Sequence, residues 1–338
     1  MTGTELQMRE RELTGQVSLT LPGGRLNRGA VGWARQPIVD TSGIGRGWGR
    51  NKRWEYWGVV TPTHLLGLTV SHIDYAAVHE LWLLDRTTEC TWGQGATVIP
   101  PRGAQLPAVC EGGPARASAK HLAIAIDELD GGTRLRAKAP GVRVDLVAAR
   151  PAGHERLAVV VPWSSRRFQY TVKDVARPVT GTIWLDDVAH EVPAGESWAV
   201  LDHGRGRWPY AISWNWGAGS GVSDGRVVGL QVGGRWTEGT GCTENAVLVD
   251  GRLHKLHGEL DWDYDLADAQ RPWRVSGRGL DARFEPFYTK RSRTELGVLS
   301  SRTDQCFGHW SGSVRTGAGD TVTFDGLLGW AEEVHNRW

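Results

Sequence analysis

Alternation of apolar and polar residues with a period of two is the feature that most constrains this chain, because it recurs throughout the sequence. Three runs show it clearly: LDARFEPF (280–287), VRVDLV (142–147) and RFQYTVK (167–173). Successive side chains of a strand point to opposite faces, so each run predicts a strand with one buried face. Burial on one face only is typical of antiparallel sheets.

The residues between these runs favour tight turns. Asp250-Gly251 separates two alternating runs, which is a strong hairpin signal, and LDGGTRL (129–135) and TGAGDTV (316–322) repeat it. Glycine, at 45 of 338 residues, is well above its usual share of about 7%. Helical patterning is suggested only in GLLGWAEEVHNRW (326–338). We therefore predict an all-β sandwich or barrel fold with a short C-terminal element.

Composition limits the classes of function. The 39 Lys and Arg residues balance 38 Asp and Glu residues, so the net charge of +1 predicts no nucleic-acid partner. The basic run RGWGRNKR (46–53) is interpreted as a solvated loop rather than as a phosphate site. Four scattered cysteines form no Cys-x-x-Cys motif, the N-terminus is polar, and no apolar run approaches a membrane span. These features predict a cytoplasmic protein without integral membrane association; they leave the oligomeric state open.

Tryptophan is unusually abundant, since its 18 residues outnumber the 6 tyrosines and 5 phenylalanines together. Indole rings suit a barrel interior, a seam between domains or a ligand-stacking surface. The runs KRWEYWGVV (52–60) and YAISWNWGAG (210–219) both place an aromatic residue shortly before Trp-Gly, about half the chain apart. We interpret them as the openings of two related β-domains, with boundaries at 51–195 and 196–338. Residues 1–50 alternate little and are predicted to form an extended arm or cover.

The stretch DHGRGRWPYAISWNWGAGSG (202–221) is the first candidate site. In a strand, Tyr210, Trp214 and Trp216 share one face and Asn215 lies on the other. Aromatic side chains bury about 150–250 Å² each, so this face must meet a second sheet or a ligand. We take these four residues as candidate ligand contacts.

Asp202 and Arg205 precede that strand and allow two interpretations. In the first, Arg205 forks onto Asp202 or onto a glutamate of 238–244 as a structural clamp, and Asp202 stays ionised. In the second, Asp202 is a buried catalytic acid whose raised pKa lets it protonate an alkene or a carbonyl. Arg205 would then contact the substrate. The sequence leaves both open.

The run TEGTGCTENA (237–246) supplies two more carboxylates, Glu238 and Glu244, on either side of a glycine-containing turn. Two carboxylates can divide acid and base work, and they can equally receive arginines. Glycine and threonine let the backbone approach closely here, so we expect Glu244 and Asn245 to face inward. We predict Glu244 as the base that partners Asp202, with Glu238 and Asn245 as ligand contacts.

His72 and Asp74 end an apolar stripe and share one face of a predicted strand. Two residues span about 7 Å at a rise of roughly 3.3 Å each, so a direct hydrogen bond is not assured. They are a candidate binding pair at a barrel mouth or a structural pair at a strand end. His254 and His257 fall on opposite faces and predict no metal site. No glycine-rich loop leads from a strand into a helix, so no cofactor is predicted.

Five longer motifs carry a family resemblance: KRWEYWGVVTP, DHGRGRWPYAISWNWG, WTEGTGCTENAVLVDGRLHKL, QCFGHWSG and GWAEEVHNRW. Together they resemble the domain-of-unknown-function 2804 family over most of the chain. More distantly, the architecture is similar to two-domain lipocalin-like proteins such as carotenoid hydratases and tocopherol cyclase. That resemblance implies two tandem lipocalin-like antiparallel barrels with a hydrophobic small molecule between them.

Three hypotheses for function follow. The first is a cofactor-free isomerase, cyclase or hydratase that acts on an isoprenoid- or lipid-like molecule by acid catalysis. The second is a carrier or sensor that binds the same class of ligand without proton chemistry. The third is a carbohydrate-binding or glycoside-cleaving protein, which would present a long open groove lined by exposed tryptophan.

Overall fold

The computed structural model describes residues 9–268, 270–317 and 319–338, and strands form nearly all of its regular structure. In these residues the helical element is one short 3-10 turn, η1 (Arg28–Ala30). A helix of the length and apolarity needed to cross a membrane is not found in this part of the chain. The predicted all-β fold class is therefore confirmed.

Three short strands lie in the N-terminal segment: β1 (Val17–Ser18), β2 (Gly32–Ala34) and β3 (Val39–Asp40). The next thirteen strands are β4 (Asn51–Val60), β5 (His64–His72), β6 (Ala77–Asp85), β7 (Thr91–Val98), β8 (Ala104–Gln105), β9 (Ala115–Ala119), β10 (Leu122–Leu129), β11 (Gly132–Ala139), β12 (Val142–Ala149), β13 (Leu157–Pro162), β14 (Phe168–Leu185), β15 (Val188–Val192) and β16 (Trp198–Arg207). With β2 they form the first sheet, whose main path is β7-β6-β5-β4-β16-β14-β12-β11-β10-β9-β8. The sheet curls, since β8 to β10 contact β5 to β7.

The second sheet contains the remaining nine strands: β17 (Ala211–Ser223), β18 (Arg226–Gly234), β19 (Ala246–Val249), β20 (Arg252–Lys255), β21 (Asp261–Asp263), β22 (Trp273–Gly277), β23 (Leu280–Leu296), β24 (Leu299–Arg315) and β25 (Thr321–Arg337). Their order is β20-β19-β18-β17-β25-β24-β23-β22-β21. Apolar side chains from both ends of this order, such as Val247 and Phe284, share one buried core. The second sheet is therefore also curled.

The two sheets repeat one topology. In the first, β4 pairs with β5 and with the much later β16; in the second, β17 pairs with β18 and with the final strand β25. The two Trp-Gly runs of the sequence lie on β4 and β17. This agreement between topology and motif supports the interpretation of two related β-domains.

Turn chemistry and alternation were accurate guides to individual strands. Asp250 and Gly251 both have positive φ, 48° and 79°, and connect β19 to β20 as the type I′ hairpin geometry requires. The prediction for 326–338 was wrong, because this segment belongs to the long strand β25. Its two edges pair with β17 and β24, and that long-range pairing overrides its weak helical pattern.

The change from one sheet to the other falls at 208–210. The strand β16, which the predicted boundary at 195–196 assigned to the second domain, pairs with β4 and β14 in the first sheet. The division into domains at 195–196 stays a prediction, and a division by sheet would fall after Arg207.

Residues 9–50 cover one side of the first sheet and also contact the second. β2 pairs with β13, and Leu19 and Leu26 pack against the face of β14 that carries Phe168 and Tyr170. At the start of this segment the buried Glu10 carboxylate accepts hydrogen bonds from Lys255 Nζ at 2.9 Å and from the 258 backbone N–H at 3.0 Å. Residues 9–50 thus make contacts with both sheets and connect them.

Candidate functional site

A cavity of about 270 Å³ lies between the two sheets. Aromatic rings form much of its wall: Trp54, Tyr56, Trp208, Trp214, Trp216, Trp236 and Trp338. The remaining lining includes three carboxyl groups, Asp202, Glu244 and Glu332, and the ammonium group of Lys173. All four charged side chains are buried.

Strand geometry explains why these side chains meet. On β14, Phe168 and Tyr170 pack under the N-terminal segment, so Thr171 and Lys173 point to the opposite face and line the cavity. On β4 the same alternation turns Trp54 and Tyr56 toward the second sheet. The polar face of these strands therefore lines a space between sheets and does not face solvent.

Lys173 is the centre of the charged cluster. Its Nζ lies 3.1 Å from Asp202 Oδ2 and 3.4 Å from Glu244 Oε2, and 4.0 Å from the centre of the Trp216 ring. Burial opposes the charged form of this amine, but the carboxylates of Asp202 and Glu244 outweigh burial and raise the pKa of Lys173. Lys173 is therefore held as an ammonium ion, not as a nucleophilic amine.

Asp202 is surrounded by hydrogen-bond donors. Besides the contact with Lys173, its Oδ2 accepts the indole N–H of Trp54 at 3.1 Å, and its Oδ1 accepts the hydroxyl of Thr171 at 3.1 Å. All three groups are donors, so both oxygens of Asp202 act here as hydrogen-bond acceptors. This environment suits a carboxylate that positions Lys173 better than one that donates a proton.

Glu244 is more deeply buried than Asp202 and has fewer donors. Its Oε1 accepts the indole N–H of Trp236 at 2.7 Å, while Oε2 makes no hydrogen bond and faces Lys173 at ion-pair distance. Burial raises the pKa of Glu244, and the positive charge of Lys173 opposes that rise. One oxygen of this carboxyl group thus has Lys173 as its partner and accepts no hydrogen bond.

Glu332 lies across the cavity from this cluster on β25. Its oxygens accept the indole N–H of Trp214 at 3.1 Å and the side-chain amide N–H of Gln305 at 3.0 Å. Burial raises the pKa of Glu332 to about 7, although the hydrogen bond from Trp214 acts in the opposite direction. A carboxyl group with this pKa can both give and take a proton near neutral pH.

The structure brings four of the predicted site residues to the cavity: Asp202, Glu244, Trp214 and Trp216. Asp202 lies on β16 of the first sheet and Glu244 in the loop before β19 of the second, and the two carboxyl groups meet through Lys173. Glu244 stays a candidate for the predicted base, whereas the contacts of Asp202 favour a positioning role over the predicted role of acid.

The predicted contact between Arg205 and a carboxylate at 202 or 238–244 was wrong. Arg205 and Asp202 are separated by an odd number of residues on β16, so their side chains lie on opposite faces of the strand. The Arg205 guanidinium instead donates to the backbone carbonyls of Pro107 and Ala108, at 3.2 and 2.8 Å.

Two further predicted contacts lie outside the cavity because they are at the surface. Tyr210 precedes β17, is 41% exposed and donates its hydroxyl to the backbone carbonyl of Val298. Glu238 is exposed in the loop after β18. Neither Tyr210 nor Glu238 lines the cavity, so the prediction that they contact its ligand was wrong.

The asparagines Asn215 and Asn245 are buried but have structural partners. Asn215, on the opposite face of β17 from Trp214, donates to the Tyr264 hydroxyl at 2.9 Å. Asn245 accepts the 233 backbone N–H at 2.8 Å and donates to the 258 carbonyl at 3.0 Å. They hold the second sheet together and do not line the cavity.

His72 and Asp74 also lie away from the main cavity, beside a smaller pocket on the other face of the first sheet. Asp74 has φ of 70°, and its Oδ2 accepts the backbone N–H groups of residue 49, at 2.6 Å, and Asn51, at 3.0 Å. The His72 Nδ1 accepts the backbone N–H of Asp74 at 3.2 Å. The pair therefore fixes a turn, as the structural alternative expected.

Sequence reasoning missed Lys173 and Glu332. Lys173 was placed on the polar side of its strand, which we took to face solvent. Glu332 stood in a segment interpreted as helical, although Trp330, Glu332, Val334 and Asn336 alternate on one face of β25. That alternation was the available signal for both the strand and the inward carboxylate.

In the residues that the structure describes, no group of three or more His, Cys, Asp or Glu side chains is arranged to hold a metal ion. The charged groups of the cavity are instead two ammonium groups, Lys173 and Lys290, and four carboxyl groups, of which Glu80 is paired with Lys290. The chemistry available to these side chains is hydrogen bonding and proton transfer.

Two solved structures share this fold at low sequence identity. A proposed AttH from Nitrosomonas europaea has a TM-score of 0.53 and 14% identity, and the match covers 84% of this chain and 92% of that one. Kievitone hydratase from Nectria haematococca has a TM-score of 0.51 and 10% identity, covering 90% of this chain and 94% of that one. Likeness at this level of identity shows the fold alone, and it confirms the two-barrel architecture.

No curated protein gives a significant sequence match to this chain. The model of a domain of unknown function, DUF2804, matches residues 10–338, which is nearly the whole sequence. The resemblance identified from the five motifs is thereby confirmed, and the chain belongs to the DUF2804 family.

Proposed function

We propose that the cavity binds a small, mainly apolar molecule with at least one oxygen group, and that Glu332 transfers a proton to it. The observation that carries this proposal is a buried carboxyl group with a pKa of about 7 in a space walled by indole rings. A volume of about 270 Å³ is near the lower limit of ordinary ligand pockets, roughly 300–1,000 Å³. The ligand is accordingly small.

The charges of the cavity suggest the division of roles. Glu332 in its neutral form donates its proton to an alkene carbon or a carbonyl oxygen and becomes a carboxylate. The positive charge that develops on the ligand is stabilised by the faces of Trp214 and Trp216. Glu244 then accepts a proton from the ligand or from an attacking water. Asp202 keeps Lys173 in place rather than serving as the acid.

This sequence of steps corresponds to an isomerase, cyclase or hydratase that works by proton transfer alone. The fold is compatible with such chemistry, since one structure that shares it is named a hydratase. The carbohydrate hypothesis has less support, because it expects a groove of exposed indole rings. Every tryptophan that lines this cavity is buried or half-buried.

Binding can be tested with β-ionone, a small isoprenoid ketone, by isothermal titration calorimetry. Trp214→Leu removes a wall of the cavity and is expected to weaken binding about tenfold or more, as is common for buried aromatic anchors. Trp48→Leu is the matched control, because Trp48 is 76% exposed and does not line the cavity. Equal affinity of both variants and the wild type would place the ligand elsewhere.

Catalysis is tested separately. Native mass spectrometry of protein purified from its own host identifies a ligand that remains bound, and that ligand is then incubated with the wild type and with Glu332→Gln. An enzyme predicts a product from the wild type only, while both proteins bind. If the wild type binds this ligand and yields no product, the carrier or sensor hypothesis replaces the enzymatic one.

A further inference from the structure

A second, smaller pocket lies on the opposite face of the same strands that line the main cavity. Its volume is about 160 Å³, and its walls include Arg53 on β4, His72 on β5 and Arg205 on β16. The N-terminal segment covers it through Ile44. Ordinary pockets for organic ligands are roughly 300–1,000 Å³, so this one suits an ion or a single functional group.

Two arginines face each other across this pocket. Arg53 and Arg205 are direct partners in the pairing of β4 with β16. The Cβ atoms of such partners are about 4.5–5.5 Å apart, and like charges at this position are destabilising unless they are compensated. Lys52 precedes Arg53 on β4, and Arg207 follows Arg205 on β16, so both add positive charge nearby. The interpretation of the basic run 46–53 as a solvated loop was wrong for its end, because residues 51–53 belong to β4 and Lys52 is buried.

Carboxylates do not fully neutralise the positive charges of Arg53 and Arg205. In the described part of the chain, neither the Arg53 nor the Arg205 guanidinium has a carboxylate oxygen within 4.0 Å. Three carboxylates lie in the neighbourhood; Asp74 lines the pocket itself, and each of the three has another partner. Asp40 accepts the 42 backbone N–H at 2.8 Å, Asp74 accepts two backbone N–H groups, and Glu55 lies 3.4 Å from His203 Nδ1.

The two guanidinium groups also differ in how they are used. Arg205 is buried, and its Nη1 donates hydrogen bonds to the backbone carbonyls of Pro107 and Ala108. Arg53 is half-buried and makes no side-chain hydrogen bond or ion pair with the residues that the structure describes. Both therefore retain N–H donors that can point into the pocket, in the fork geometry that matches an oxyanion.

We propose that this pocket is a binding site for a tetrahedral oxyanion, a phosphate group held between Arg53 and Arg205 with His72 beside it. The site is distinct from the ligand cavity, because it lies on the other face of the first sheet. Burial together with the positive charges of Arg53 and Lys52 lowers the pKa of His72, so an anion bound here would raise that pKa again.

Inorganic phosphate is the probe, with chloride at equal ionic strength as the reference. Phosphate is expected to raise the melting temperature of the wild type. Arg53→Gln should lose that stabilisation and bind phosphate about tenfold more weakly by calorimetry, because it removes charge-assisted hydrogen bonds. Lys138→Gln is the control, since it removes one exposed positive charge from the same sheet. We choose Arg53 for substitution because Arg205 also donates hydrogen bonds to the backbone at 107–108, so that its loss would disturb the fold as well.

Equal stabilisation of Arg53→Gln and the wild type, or no stabilisation of the wild type, would overturn the proposal. A histidine titration by NMR adds an independent measurement, in which phosphate must raise the pKa of His72 in the wild type but not in Arg53→Gln. A second arm with glycerol phosphate distinguishes the source of the group. Binding of both ligands indicates the phosphate of a larger molecule, and binding of inorganic phosphate alone indicates the free ion.

Discussion

At the scale of single residues, the balance of charge in the cavity determines which acid keeps its proton. Lys173 lies within ion-pair distance of Asp202 and Glu244. Glu332 has only neutral donors, Trp214 and Gln305, at hydrogen-bond distance in the part of the chain that the structure describes. Burial therefore raises the pKa of Glu332, although Lys173 and Lys290 oppose that rise without forming an ion pair with it.

Glu332→Gln is expected to change how stability depends on pH. The pKa of Glu332 rises from 4.5 to about 7 on folding, so the unfolded chain loses this proton at lower pH than the folded chain. The resulting penalty is absent below pH 4.5, grows as pH rises and is complete above pH 7, at about 3 kcal/mol. The variant should therefore gain stability over the wild type at pH 8 and little at pH 5.

Chemical denaturation at these two pH values measures the effect. Glu285→Gln serves as the control, because Glu285 lies on the same sheet and its side chain is 65% exposed. A stability difference between Glu332→Gln and the wild type that does not vary with pH would show that Glu332 is not a protonated group in the folded state.

The candidate site was predictable in part. Trp214 and Trp216 were predicted from the abundance and spacing of tryptophan. Asp202 and Glu244 were predicted from the glycine-rich sequence around them. Lys173 and Glu332 were not predictable in the same way, because alternation reveals that a strand has two faces but not what covers each face. A lysine on the polar face of a strand looks the same in sequence whether it meets solvent or a second sheet.

At the scale of secondary-structure elements, β14 links the two arms of the first sheet. Its first half pairs with β13 and β16, and its second half pairs with β12 and β15. The register to β16 shifts between Asp174 and Arg177, where Ala176 has φ of 56°. This β-bulge bends the strand, as such irregularities do.

A buried network stabilises the bulge. The Asp174 carboxylate lies 2.8 Å from both His154 Nε2 and Arg177 Nη1, and the Arg177 guanidinium also donates to the backbone carbonyl of Ala148 at 2.6 Å. Both ion-pair partners at the bulge are fully buried. Although burial acts against ionisation, Arg177 and His154 lower the pKa of Asp174 to about 2.

Asp174→Asn should destabilise the fold by about 3–5 kcal/mol, because it leaves the buried Arg177 without its counter-charge. Urea denaturation measures the change. Asp281→Asn is the control: it breaks an Arg274 pair whose side chains are more than 60% exposed, and it should cost no more than about 1 kcal/mol. The wild-type contribution is present above pH 3.8 and is lost as the pH falls toward 2. Comparable losses in the two variants would exclude a special role for the bulge network.

Elements were predicted well where local chemistry decides them. The hairpin at Asp250-Gly251 needs two residues with positive φ, and the sequence supplies a pair that tolerates it. The C-terminal segment was not predicted, because its strand is determined by pairing with β17 and β24, which are distant in sequence. Local propensity contains no information about such partners.

At the scale of the whole molecule, the two sheets interlock through one buried cluster. Tryptophan residues from both sheets take part, including Trp198 on β16 and Trp330 on β25. Gly58 on β4 lies directly under the Trp330 ring, so that a Cβ added there would overlap it. The approach of the second sheet to β4 therefore requires a residue without a side chain.

Gly58→Ala is expected to destabilise the protein by about 1–3 kcal/mol, because the fully buried Trp330 cannot move away without disturbing its neighbours. Thermal unfolding tests this. Gly95→Ala on β7 is the matched control, since an added Cβ meets no atom within 4 Å there, and it should cost less than about 1 kcal/mol. Equal melting temperatures of the two alanine variants would contradict the prediction, because they would show that the Trp330 ring can move to accommodate a Cβ at residue 58.

The contact between Glu10 and Lys255 bears on the order in which the molecule assembles. These residues are separated by 245 positions, so residue 10 is translated long before its partner exists. The amide of residue 258, which completes the same contact, is made later still. Residues 9–50 are thus synthesised early and anchored late. The contact itself raises the average sequence separation of native contacts, which slows folding. In the same segment β2 covers one edge of β13, and a strand edge left uncovered is prone to pair with another chain.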